Sequence, residues 1–146
     1  MYNLTSGEKM SQLEEDLGRI IKAKNADLGL FVLAMHSLME RCLCEKYRDG
    51  VYDTENTFGT LINRYTNDFY NSHGKPIYKG AEKLRLSDED WKIHKTLNKI
   101  YENHFLANDV RHRFETKSPE EAQTTVNCFL AFAKAENWGR LQALEE

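Results

Sequence analysis

The residues of this chain whose types and spacing suit chemistry fall into three sets. His36 and Glu40 stand four apart in a mostly apolar run, so on a helix they face the same way. Such a pair suits a metal ion or acid–base work, and equally an internal hydrogen bond that satisfies both groups inside a core. Their apolar surroundings favour the internal bond. The second set continues an apolar stripe: Ile93, Leu97 and Ile100 are followed by His104, Asn108, Arg111 and His112. At about 100° per residue these polar groups keep to the face turned toward a bundle, where they form either a buried network or the lining of a pocket. The network is the simpler reading. The third set is basic. Lys92, Lys95 and Lys99 stand opposite the stripe, after Lys75, Lys79 and Lys83. A lysine row of this kind is ordinarily a solvated face, but it also meets what a nucleic-acid backbone asks for, positive charge within reach of phosphate.

Other chemistries lack their residues. There is no phosphate loop, dinucleotide fingerprint, Cys-x-x-Cys pair or His-Glu-x-x-His helix. Cys42 and Cys44, two apart on a helix, point in different directions and cannot share a metal. With Cys128 they make an odd set of three, expected to be reduced thiols used in packing. No cofactor and no metal is expected from these patterns.

The elements that must position these groups read as five helices and no strand. The first runs from about Gly7 to Lys24, with Met10, Leu13, Leu17, Ile20 and Ile21 on one stripe. The second, about Ala26 to Tyr47, is apolar on nearly every side and belongs at the centre, with Gly50 as its C-terminal cap. The third, about Thr54 to Asn71, puts Phe58, Leu61, Ile62, Tyr65 and Phe69 on one side. Ser72 to Leu86 reads as a loop or a short extra turn. The fourth starts at the N-cap Ser87, followed by Asp88, Glu89 and Asp90, and runs to about Phe114. The fifth opens on Ser118-Pro119-Glu120-Glu121 and carries Ala122, Val126, Phe129, Leu130 and Ala133, closing on Trp138. The fold class expected is all-α, a bundle of four to five helices with the second buried at the centre. Residues 1–138 form the bundle, and 139–146 a polar tail or the start of a linker.

Composition agrees. A chain of 146 residues that is 40% hydrophobic and 29% charged is one globular domain with a core of its own. The net charge of −3 is unevenly spread, since residues 73–113 hold nine Lys/Arg against six Asp/Glu. The longest nearly apolar run, Leu28 to Met39, has 12 residues. A bilayer needs about 20, so no membrane contact and a cytoplasmic location are expected.

Two phrases resemble a known family. Phe31 to Glu40, FVLAMHSLME, is similar to the second helix of HEPN-like domains, helical bundles of prokaryotic defence and RNA-processing proteins. Leu106 to Phe132, LANDVRHRFETKSPEEAQTTVNCFLAF, is similar to a later part of the same domains. Both look most like the helical domain at the N-terminus of bacterial DEAD/DEAH-box helicases and type I restriction-enzyme motor subunits. Catalytic members carry Arg, a polar residue, three variable residues and His. The matching stretch is Ala107 to His112, with Asn108 at the polar position, His112 at the histidine and Ala107 where the arginine belongs. Alanine cannot supply charge to a scissile phosphate, although Arg111 stands one turn further along.

The resemblance therefore implies a non-catalytic accessory domain that contacts DNA, RNA or other domains of a helicase-type parent protein. Its phosphate-facing charge would come from Lys75, Lys79, Lys83, Lys92, Lys95 and Lys99. The alternatives are a metal-independent ribonuclease, acting as a homodimer through Asn108, Arg111 and His112, and a pure dimerisation module.

Overall fold

The computed structural model describes residues 6–48, 58–139, 141 and 144. Among them are five helices: α1 (Ser6–Ala26), α2 (Leu28–Arg48), α3 (Phe58–His73), α4 (Asp88–Arg113) and α5 (Pro119–Ala135). The Gly50 cap and the start of the third helix at Thr54 lie outside the described residues.

The caps of α4 and α5 follow from single side chains. Ser87 Oγ accepts the Asp90 amide at 3.1 Å, and three acids fill the first turn of α4 beside the positive helix end. At α5, Ser118 Oγ accepts the Glu121 amide at 3.1 Å while Glu121 Oε1 accepts the Ser118 amide at 3.0 Å. Two orphan amides are satisfied reciprocally, with Pro119 at the first turn. Ser118→Ala removes half of this box and is expected to cost about 1 kcal/mol. Urea unfolding checks this: the midpoint falls and the slope stays the same.

Between α1 and α2 only Asp27 intervenes, and its Oδ1 accepts the Leu30 amide at 3.0 Å to start the second helix. α2 packs against α1, α3, α4 and α5, which makes it the axis of the bundle. Phe31, Met35, Met39 and Leu43 on α2 are fully buried against Phe58 of α3 and Phe129 and Phe132 of α5. It is not covered all round, however: Leu30, Ser37 and Arg41 face solvent.

One expectation is corrected. Residues 75–85 form a β-hairpin with two short strands, β1 (Lys75–Pro76) and β2 (Leu84–Arg85), antiparallel in the register Lys75↔Arg85 and Pro76↔Leu84. Strands of two residues show no alternation for a sequence reading to find. The hairpin is set by its turn, where Gly80 takes φ +84, and by Tyr70 of α3, whose hydroxyl donates to the Leu84 carbonyl at 2.8 Å. A positive φ at that turn is open to glycine without the steric cost a Cβ brings.

At the far end, Trp138 packs edge-on against Phe132 at 5.3 Å, and Leu141 is buried in the same core. No helix among the described residues is long and apolar enough to cross a membrane.

Candidate functional site

α2 and α4 cross so that three of the polar candidates meet. His36 Nε2 lies 2.9 Å from His104 Nδ1 and 3.0 Å from Glu40 Oε1, and the third side of the triangle, His104 Nδ1 to Glu40 Oε1, is 3.6 Å. His36 has no exposure at all, while the Glu40 and His104 side chains keep 17% and 19%. The site thus has a sealed floor and a half-open mouth.

Aromatic rings hold the imidazoles in place. Phe58, the first residue of α3, meets the His36 ring edge-on at 4.5 Å and stacks on the His104 ring at 5.2 Å. Tyr101, one turn before His104, stacks on that ring at 5.8 Å.

The electrostatics follow from this packing. Burial raises the Glu40 pKa, but His36 beside it, together with the charges of His104 and Arg111, outweighs burial and holds the carboxyl below its ordinary value. Burial lowers the His104 pKa, and His36 and Arg111 push the same way against Glu40. Glu40 is therefore a carboxylate at neutral pH and His104 favours the neutral imidazole, a lone-pair donor.

The remaining stripe residues are placed differently. Asn108 is half-buried, and Arg111 and His112 are exposed. The buried positions of α4 are Ile93, Leu97, Ile100, Asn103, Ala107 and Val110. These advance by about 3.4 residues per turn, less than the 3.6 of a straight helix, so the buried face winds around α4, which packs against α2, α3 and α5. Extrapolation at 3.6 carries the stripe to Arg111 and His112, which stand off the packed face. Arg111 still lies close enough to act on both Glu40 and His104.

On the buried face Asn103 Oδ1 instead accepts the Thr125 hydroxyl at 2.7 Å, a link between α4 and α5. Neither residue was marked by the sequence pattern, although a Thr inside the apolar stripe of α5 is the signal that would have found one of them.

All six candidate lysines, Lys75, Lys79 and Lys83 on the hairpin and Lys92, Lys95 and Lys99 on α4, are exposed. None forms an ion pair among the described residues. Neighbours that sequence reasoning missed stand among them. Trp91 is 51% exposed on the side of α4 that carries Lys95, and Ile77 and Tyr78 are exposed at the hairpin. Lys92 of α4 and Lys134 of α5 line a groove of about 250 Å³ whose other walls include Asn127, Leu130 and Glu89. No family model, curated protein or solved structure matches the chain.

Cysteine chemistry has no support from the surroundings. No disulfide joins Cys42, Cys44 and Cys128, and burial pushes Cys42 up to about 12 and Cys128 up to about 11. Neither offers a thiolate at neutral pH, so both serve as packing groups.

Proposed function

We propose that this chain is a non-catalytic HEPN-like helical domain that binds single-stranded nucleic acid through α4 and the hairpin before it. It works as an accessory module of a helicase- or restriction-type protein. The observation that carries the reading is the company the lysines keep. Exposed ammonium groups that form no ion pair among the described residues stand beside exposed flat side chains, Tyr78 on the hairpin and Trp91 on the helix. Positive charge follows a backbone and aromatic faces stack on unpaired bases, which is the pairing of features that single strands require. α4 is 26 residues long, about 39 Å, so the row and the hairpin together offer several nucleotides' worth of track.

The non-catalytic part rests on Ala107. The position that holds arginine in the ribonucleases of the resembled family is here a fully buried alanine packed in the core. A guanidinium cannot act on phosphate from that place, and Arg111, one turn further along, is exposed with its charge felt at Glu40 and His104.

A binding titration with labelled single- and double-stranded DNA and RNA at rising salt tests the proposal. Tighter binding to single strands is expected, weakening linearly in log K against log[salt], with no cleavage of the probe on a gel. Absence of binding at low salt removes the reading. RNA cleavage that disappears in His112→Ala puts the ribonuclease in its place.

A further inference from the structure

The His36, Glu40 and His104 triangle lies on the side of α4 away from the lysine row and is not used by the function just described. One Nε2 proton on His36 serves either Glu40 or His104, not both, since both acceptors crowd the same nitrogen at 3.0 and 2.9 Å. Glu40 Oε1 is buried and has no partner of hydrogen-bond geometry, and neither has His36 Nδ1. Buried acceptors in that state cost about 1–3 kcal/mol each, so the arrangement asks for something the protein's own donors do not supply.

We infer that His36 Nε2, Glu40 Oε1 and His104 Nδ1 bind one divalent transition-metal ion of the zinc type. The three atoms lie within 4.8 Å of one another, and they are the only such group of three His, Cys, Asp or Glu ligand atoms among the described residues. Ligands about 2.0–2.1 Å from a tetrahedral zinc stand ~3.3 Å apart. The edges here, 2.9, 3.0 and 3.6 Å, straddle that value, so a point just above the plane of the triangle stands at zinc-ligand distance from all three atoms. Two imidazoles and a carboxylate are a zinc donor set that leaves a fourth position free. The Glu40 and His104 side chains keep 17% and 19% exposure, so water would complete the shell from that side. Calcium and magnesium, which want six or more oxygen ligands, do not suit this set.

Two features set the strength of binding. Arg111 adds positive charge near the site and opposes any cation. His36 Nδ1 lacks the acceptor that normally orients a ligating imidazole. Loss of such an outer partner weakens metal sites about 10–100-fold, so the ion is expected to be exchangeable and removed by a chelator while the fold remains.

The test is isothermal titration calorimetry of the full chain, stripped with chelator, against zinc chloride. Cobalt(II) absorption gives the coordination geometry, and circular dichroism follows the fold. One equivalent of zinc is expected, with tetrahedral cobalt bands. Glu40→Gln keeps the shape of a side chain that is 17% exposed and should weaken binding at least 10-fold. His104→Ala should abolish it. Arg111→Gln, which touches no ligand atom, should tighten binding. Failure to bind stoichiometric zinc at millimolar concentration overturns the assignment, as does unchanged affinity in Glu40→Gln. Because Glu40→Gln preserves volume and helix propensity, it remains informative even where His104→Ala does not fold.

Discussion

Lys117→Met is expected to destabilise the fold by about 2–3 kcal/mol at pH 7. The Lys117 side chain is only 4% exposed, and its ammonium lies 3.3 Å from Asp109, 3.5 Å from Glu115 and 3.7 Å from Glu121. One charge therefore ties the end of α4, the connecting turn and the first turn of α5. The turn it secures is pressed on the start of α2: a Cβ at Gly29 would stand 2.7 Å from the Glu115 carbonyl oxygen. Methionine fills the same space but leaves three carboxylates facing one another. All three keep access to water, which is why the expected loss stays below that of breaking a fully buried pair.

The pH dependence has a definite sign. Burial lowers the Lys117 pKa, but Asp109, Glu121 and Glu115 outweigh it, so the folded value is raised above 10.5. The stabilisation is fully present below that pH and is lost as pH rises through the folded value. Urea midpoints for the two proteins should therefore differ most near pH 7 and converge in strong alkali. A difference under 0.5 kcal/mol at pH 7, on the scale of an ordinary surface substitution, would show that the carboxylates are held apart by other means.

Asp16 is the mirror case. Burial raises its pKa, but hydrogen bonds from Arg41, Arg19 and Gln12 win and lower it. Its stabilisation is present above about pH 4 and lost as pH falls through the depressed folded value. Asp16→Asn should flatten the acid limb of the stability curve and leave the alkaline limb to Lys117.

Lys117 shows where sequence reading stops. Nothing in its local pattern marks it as buried; its enclosure is made by α2 arriving beside the α4–α5 turn, a tertiary event. The helix starts at Ser87 and Ser118 were legible because capping is decided within four residues. The central place of α2 was legible because its apolar residues crowd most of its circumference. The hairpin was not, since its two-residue strands carry no period.

The candidate site divides the same way. His36 and Glu40 share a face by spacing alone, and His104 interrupts an apolar stripe, so each was visible singly. That they share a point depends on how α2 crosses α4. The winding of the buried face of α4 is equally a property of its neighbours, and it moves Arg111 and His112 into solvent while bringing in Asn103.

The lysine row yields the second large effect. In the triple variant Lys92→Gln, Lys95→Gln, Lys99→Gln, affinity for a single-stranded oligonucleotide should fall about 100-fold at 0.1 M salt. Each phosphate neutralised contributes ~0.7 to the slope of log K against log[salt] on single strands, so three lost contacts remove about two decades at that concentration and reduce the slope by about 2. Trp91→Ala is expected to act differently. Loss of one stacked base costs about 1–3 kcal/mol, roughly 5- to 150-fold, with the slope unchanged because no counterion is involved. Lys22→Gln, on the exposed face of α1, serves as the control and should alter neither quantity. The two readouts separate the parts of the mechanism: charge appears in the slope and stacking in the intercept. If the triple variant keeps its slope, the lysines are a solvated face and the strand runs elsewhere. If Trp91→Ala lowers the slope as much as the lysine variant does, the tryptophan acts by positioning the lysines rather than by stacking on a base.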